Sequence, residues 1–224
     1  MRIIDLSLPI VRSHLRWPIE QSVKGDLDAG DLFQATTLKV PCHGFTHVDA
    51  QRHFFAGAPT IDATPLAAVV GMADVIDLKD VQPNSAIDAA RLAERADHIA
   101  PGAKIILATA WHQQRSFETA EFWRDAPYIT RDGAEWLLSR GIETVAYDFP
   151  QDYVIRLLLD GDIRPRHEHV THDVLLRNGI HMVEYISNTA DIMASRVFLS
   201  AAPLKIPDAD GAPARVYAIE EPMF

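Results

Sequence analysis

The run TRDGAEWLLSRGIETVAYD, residues 130–148, decides the fold class. Thr130 supplies a side-chain oxygen of the kind that caps a helix, and Gly141 supplies the residue that ends one. Between them no proline interrupts a helical reading. Residues 143–148 then form an apolar, strand-like run. Moving outward, similar runs stand at 73–78, 104–109 and 180–186. Helical pieces separate them. One opens at Thr64-Pro65 and closes at Gly71, one begins at Ser85 (AIDAARLAERA), and one covers 173–177 before Asn178-Gly179. Strands alternating with helices predict an α/β domain around a mixed or parallel sheet.

The two ends read differently. Residues 2–8 form a first strand stopped by Pro9, and 35–40 a second stopped by Pro41. Pro18, Gly25 and Gly30 break any period in the segment 11–33, which reads as irregular. Near the C-terminus, 196–201 and 215–219 read as strands with no helix between them, so an antiparallel element is expected to complete the sheet. With 224 residues, no repeat and no linker, residues 1–224 are expected to form a single domain.

Composition narrows the function. The formal charge is −10, from 31 acidic and 21 basic side chains, and no run of Lys or Arg offers phosphates a basic face. Nucleic acid is not an expected partner. No apolar stretch approaches the ~20 residues of a membrane span. The N-terminus lacks the apolar core of a signal peptide, so a cytoplasmic location is expected. Cys42 is the sole cysteine, which excludes an intramolecular disulfide and a thiolate zinc finger.

Chemistry concentrates in HGFTHVDAQRH, residues 43–53. His43, His47, Asp49 and His53 fall within eleven residues, at intervals of four, two and four. Imidazole with carboxylate suits zinc, manganese or iron(II). On a strand, 47 and 49 share a face. The segment begins where a strand ends, the usual place for a site in an α/β protein. A second concentration, Arg166-His167-Glu168-His169-Val170-Thr171-His172, is followed twelve residues after His172 by Glu184 in an apolar strand. A carboxylate buried there is costly unless paired or bound to metal. His167 and His169 read as solvated or supporting residues, and Asp148 and Asp152 as ligand-orienting or turn-capping ones. Serine hydrolysis lacks a G-x-S-x-G elbow. A Cys42–His43 nucleophile is disfavoured because neighbours on a strand point apart.

Together the two stretches resemble the cyclase family that includes bacterial kynurenine formamidase and isatin hydrolase, with its motif H-x-G-T-H-x-D-x-P-x-H. His43, Thr46, His47, Asp49 and His53 fall in register, as do His172, Gly179-Ile180 and Glu184. Weaker matches lie at Asp5-Leu6-Ser7, 71–78 and 145–148. Phe45 replaces the motif glycine and Gln51 the motif proline. Trp17-Pro18 matches part of an aromatic-Pro-Gly-Asp element, with Ile19-Glu20 following instead. The resemblance implies a swivelling β/β/α fold and a homo-oligomer, dimer or tetramer. It implies one metal ion on His43, His47 and Asp49, and a second, where two are present, near Asp49, His172 and Glu184. His53 becomes the general acid/base and Trp17 a substrate contact. The implied activity is hydrolysis of an amide, formamide or lactam on a small molecule, using one or two zinc or manganese ions. A lactonase, a cyclase or dehydratase on the same site, and a catalytically inactive ligand-binding relative stay open.

Overall fold

The computed structural model describes residues 1–221. In chain order its strands are β1 (Arg2–Asp5), β2 (Glu20–Lys24), β3 (Ala35–Lys39), β4 (His47–Asp49), β5 (Val70–Asp77), β6 (Ala86–Ile87) and β7 (Lys104–Ala108). There follow β8 (Tyr128–Ile129), β9 (Thr144–Tyr147), β10 (His181–Glu184), β11 (Arg196–Ser200), β12 (Gly211–Pro213) and β13 (Tyr217–Glu220). The helices are α1 (Leu66–Val69), α2 (Ala89–Ala96), α3 (Trp111–Gln114), α4 (Ala120–Arg124), α5 (Arg131–Ser139) and α6 (Val170–Val174). No helix among the described residues is long and apolar enough to cross a membrane.

Nine strands form one mixed sheet, ordered β1-β13-β11-β5-β7-β9-β10-β4-β12. Its centre, β5-β7-β9-β10, is parallel, and the strands flanking it on both sides pair antiparallel. Strands buried on both faces read as continuous apolar runs, which is why KIILA and TVAY carry no alternation. The pleat still sorts them. Ile105, Leu107, Val145, Tyr147 and Met182 join one core with Leu92 and Leu137 of the helices. Ile106, Ala108, Ala146 and Val183 face the other core, where small residues such as Ala73, Ala201, Ala212 and Ala218 collect. These small side chains let the sheet curl, and Ser7, just past β1, bridges to Ile186, just past β10.

The expected antiparallel element of the tail is present, with β11 and β13 side by side. Helix α5 starts and ends as its sequence dictates: the Thr130 side chain accepts from the Gly133 N–H, and Gly141 follows at φ +65°. Other boundaries moved. Asp88, not Ser85, caps α2, because Ala86–Ile87 is used as β6 in a parallel pair with β8. Gly71 lies inside β5 instead of ending α1. Helix α6 begins at Val170, ahead of the expected 173, so His172 sits within it. The segment read as irregular contains β2, which forms an exposed hairpin with β3 apart from the main sheet.

Asp148, at the end of β9, is fully buried and shows how strand ends are held. Its carboxylate accepts the Thr109 and Ala110 N–H groups at 3.0 and 2.7 Å and the hydroxyls of Thr109 and Thr189. The ends of β7 and β9 are thereby locked to the loop that follows β10.

Candidate metal centre

Strands β4 and β10 pair so that Glu184 lies opposite His47 and Met182 opposite Asp49. His47, Asp49 and Glu184 therefore emerge on one face, while Val48 turns into the opposite core. All three are at least 95 % buried, as is His172 from α6. The Nε2 of His47 stands 3.2 Å from Asp49 Oδ1 and 3.7 Å from Glu184 Oε2. The Nε2 of His172 stands 3.4 Å from both Asp49 Oδ2 and Glu184 Oε1. His43 reaches Asp49 Oδ1 at 2.7 Å through Nδ1, and its ring stacks on His53 at 3.6 Å. The six residues picked out from sequence thus meet in one cluster.

The far side of each imidazole decides what the near side offers. His47 Nδ1 is engaged by the Phe45 carbonyl at 2.8 Å, and His172 Nδ1 by Asp152 Oδ2 at 2.7 Å. Asp152 is fixed in turn by the Thr171 N–H at 2.6 Å. Gln151 donates to Glu184. Orienting partners of this type are what metal-binding histidines and carboxylates require. Meanwhile His47 Nε2 and Asp49 Oδ2 are buried with no hydrogen-bond partner. Unpartnered buried atoms are costly, and these point at one another's neighbours across the cluster. Donor type, burial and orphaned atoms all fit a divalent cation. Asp49 joins two sets of potential ligands, one with His47 and Glu184 and one with His43 and His53, and His172 Nε2 stands 3.4 Å from it. His43 Nε2, also without a hydrogen-bond partner, lies 3.1 Å from Asp210.

The titration pattern has the same origin. Burial disfavours charge at His43, but Asp49 and Asp210 outweigh it and raise its pKa to about 9. His172 is likewise held well above its ordinary value against burial, chiefly by Asp152 and Asp49. Asp49 is lowered in spite of burial by the surrounding histidines, whereas burial and Asp49 together raise Glu184. Without a cation, protons on imidazole supply the positive charge that the carboxylates need. His53 behaves in the opposite way. Burial lowers it to about 4, with the charges of His43 and His172 adding to the effect over the opposition of Asp49.

Several contributors were not legible as such. Asp210, on the turn before β12, faces both His43 and His53, at 3.1 and 3.6 Å. Its neighbour Gly211 is a space requirement: a Cβ there would meet His43 Cε1 at 2.6 Å. Gln51 ties its turn to the end of α6 by donating to the Leu176 and Arg177 carbonyls. His169 is buried, and with His172 it lines a cavity of about 90 Å³. Trp17 is 95 % buried and packs against Phe45, Trp123 and Tyr185, each at 5.0 Å. It is the adjacent Arg16 that lines the cavity. A larger cavity of about 540 Å³ beyond Phe45 and Thr46 holds charged groups only in Asp5 and Arg215, which pair with each other.

A curled mixed sheet with a buried histidine–carboxylate cluster at adjoining strand ends marks an α/β protein whose donor set fits a divalent cation. Residues 4–151 match the Cyclase family model, described as putative cyclase, and the chain belongs to that family. It is 28 % identical over 219 residues to kynurenine formamidase of Bordetella petrii, covering 96 % of both chains. Kynurenine formamidase of Bacillus cereus is 26 % identical over 95 % of this chain and 94 % of its own length. Among solved structures, a potential metal-dependent hydrolase with cyclase activity superposes with a TM-score of 0.73 at 25 % identity, over 99 % of each chain. Isatin hydrolase A of Labrenzia aggregata shares the fold, with a TM-score of 0.77 at 20 % identity over 97 % of this chain and 93 % of its own.

Asp152 reaches the cluster through His172, while also accepting the Thr171 N–H and standing near His169, so its removal probes the orienting role. Asp152→Asn is expected to weaken divalent-metal binding about 10- to 100-fold while the circular dichroism spectrum stays that of the parent. Unchanged affinity by calorimetry would remove Asp152 from the centre.

Proposed function

We propose that this chain is a metal-dependent hydrolase that cleaves a carbon–nitrogen bond outside peptides, in an amide, formamide or lactam. The observation that carries the reading is the convergence of four buried side chains, His47, Asp49, His172 and Glu184, of which the last two line a cavity together with His43 and a neutral His53. Kynurenine formamidase relatives along nearly the whole chain support the same reaction class.

His43, His47, Asp49, His172 and Glu184 would hold zinc or manganese, as one ion or two. When bound, the ion supplies Lewis acidity, which acidifies water and polarises a carbonyl. Asp49 and Glu184 offset its charge. Phe54, Ile155 and Leu158 add apolar surface to a cavity wall that is otherwise largely histidine. His53, unprotonated at neutral pH, accepts a proton from the attacking water. Water oxygen bonds to the carbonyl carbon, the carbon–nitrogen bond breaks, and His53 returns the proton to the leaving nitrogen. Asp210 faces the His53 Nδ1 edge, from which it can orient the ring through the cycle.

A homo-oligomer, dimer or tetramer, belongs to the same reading. The hairpin β2–β3 leaves Val23, Phe33 and Leu38 exposed, more apolar surface than a free arm usually carries. Light scattering is expected to give a multiple of the 24.9 kDa chain mass; a single-chain mass at micromolar concentration would contradict it.

The catalytic assignment is tested with two variants. His53→Ala is expected to retain its metal and lose about 10²- to 10⁴-fold in kcat on N-formyl aromatic amines or isatin-like lactams. Asp49→Ala is expected to lose the metal. Undiminished turnover by His53→Ala, or stoichiometric metal in Asp49→Ala, would each overturn its part of the proposal.

A further inference from the structure

Arg16 is the one permanent cation in the wall of the metal cavity. It shares that wall with His43, His53, His172 and Glu184. Its guanidinium lies over the face of Trp123, 4.3 Å from the ring centroid, and 5.7 Å from that of Trp17. Tyr185 also lines the cavity, and both the charge of Arg16 and a side-chain hydrogen bond from it oppose the rise that burial imposes on the Tyr185 phenol. Aromatic faces therefore hold the group in place. No carboxylate does so: Arg16 forms no ion pair among the described residues. Its Nη1 is buried and has no hydrogen-bond partner.

This placement is electrostatically odd. An arginine sharing a cavity of about 90 Å³ with a candidate divalent-cation site would be repelled by an ion bound there and cannot shed its own charge. The carboxylates of the cluster are already committed, Asp49 to His43, His47 and His172, and Glu184 to Gln151, His47 and His172. What would relieve both the repulsion and the unpartnered Nη1 is an anion brought in from outside. A planar guanidinium suits a carboxylate, which can accept two parallel N–H bonds. Ile155, Leu158 and Phe54 supply apolar surface to the same wall.

We propose that Arg16 is a specificity residue that binds a carboxylate on the substrate, so that the hydrolysed amide belongs to an anionic molecule with an apolar body. This inference rests on the hydrolase reading given above, but its binding arm does not. Carbonyl and carboxylate would lie at opposite ends of the cavity, the first toward His53 and the second toward Arg16.

The test compares the three N-formyl aminobenzoates (ortho, meta and para) with formanilide, which lacks the carboxylate, on metal-loaded protein. Wild type is expected to favour at least one carboxylated isomer by about 10-fold or more in kcat/KM, the range of a charge-assisted hydrogen bond. Arg16→Gln should shrink that ratio to within about twofold, and Arg16→Lys should restore part of it, since a point charge replaces the fork. In parallel, calorimetry measures the matching aminobenzoate and aniline, with metal content as the control for an intact site. Arg16→Gln should weaken the aminobenzoate at least tenfold relative to aniline. Equal preference in wild type, or aminobenzoate binding that Arg16→Gln leaves within twofold, overturns the proposal. If no substrate turns over but the binding difference appears, the carboxylate site stands and the hydrolase reading fails.

Discussion

Asp49 and Glu184 are two carboxylates buried on adjacent strands, and most of the site follows from what it takes to keep them there. Isolated, each would be expelled or neutralised, because a charge removed from water costs far more than a fold can spare. The chain surrounds them with three imidazoles: the Phe45 carbonyl steers His47, Asp152 steers His172, and Asp210 lies 3.1 Å from His43. Raised histidine pKa values and a lowered Asp49 record that compensation. A divalent cation meets the same demand with fewer groups. The strand pairing that sets Glu184 against His47 is thus the element from which the centre is built.

Backbone strain accompanies this arrangement. Phe45 and Tyr185, the residues two before His47 and one after Glu184, both have positive φ, at 58° and 55°. Such angles are uncommon for aromatic residues and are held only by their surroundings. Here the surroundings are aromatic: Trp17 touches both side chains at 5.0 Å and also packs on Trp123. The same cluster carries Arg16 on its outer surface. One packed group therefore fixes the strand ends that bear the metal residues and the cation that faces them. The glycine expected at position 45 of the motif is explained as well, since glycine takes that angle freely and phenylalanine takes it only because it is buried.

What could be read from the sequence was what local pattern encodes. Apolar runs with caps gave β7, α5 and β9, and the dense histidine spacing gave the cluster, because strand periodicity puts 47 and 49 on one face. Hairpin β2–β3 was half missed: it is exposed on both faces, so no alternation marks β2. Asp210 lies in the turn before β12 and Gly211 opens that strand, and neither carried a signal in the sequence. Their duty, holding and making room for His43, depends on β12 pairing with β4 across more than 160 residues of chain. Asp152 was ambiguous until α6 brought His172 to it. Arg16 had no sequence signal at all, since one arginine in a loop becomes notable only beside a cation site.

The central claim is that this cluster is a divalent-metal centre, and direct titration tests it. Chelator-stripped, folded protein is titrated with zinc or manganese in a weak buffer at about pH 7.5 while released protons are counted. His43, with its pKa raised to about 9, carries a proton at that pH which ligation must displace. Saturable binding with about one or more protons released per first ion is the predicted result, with affinity falling as the pH is lowered. A folded protein that binds neither ion at micromolar concentration, or binds with no proton release and no pH dependence, would contradict the account.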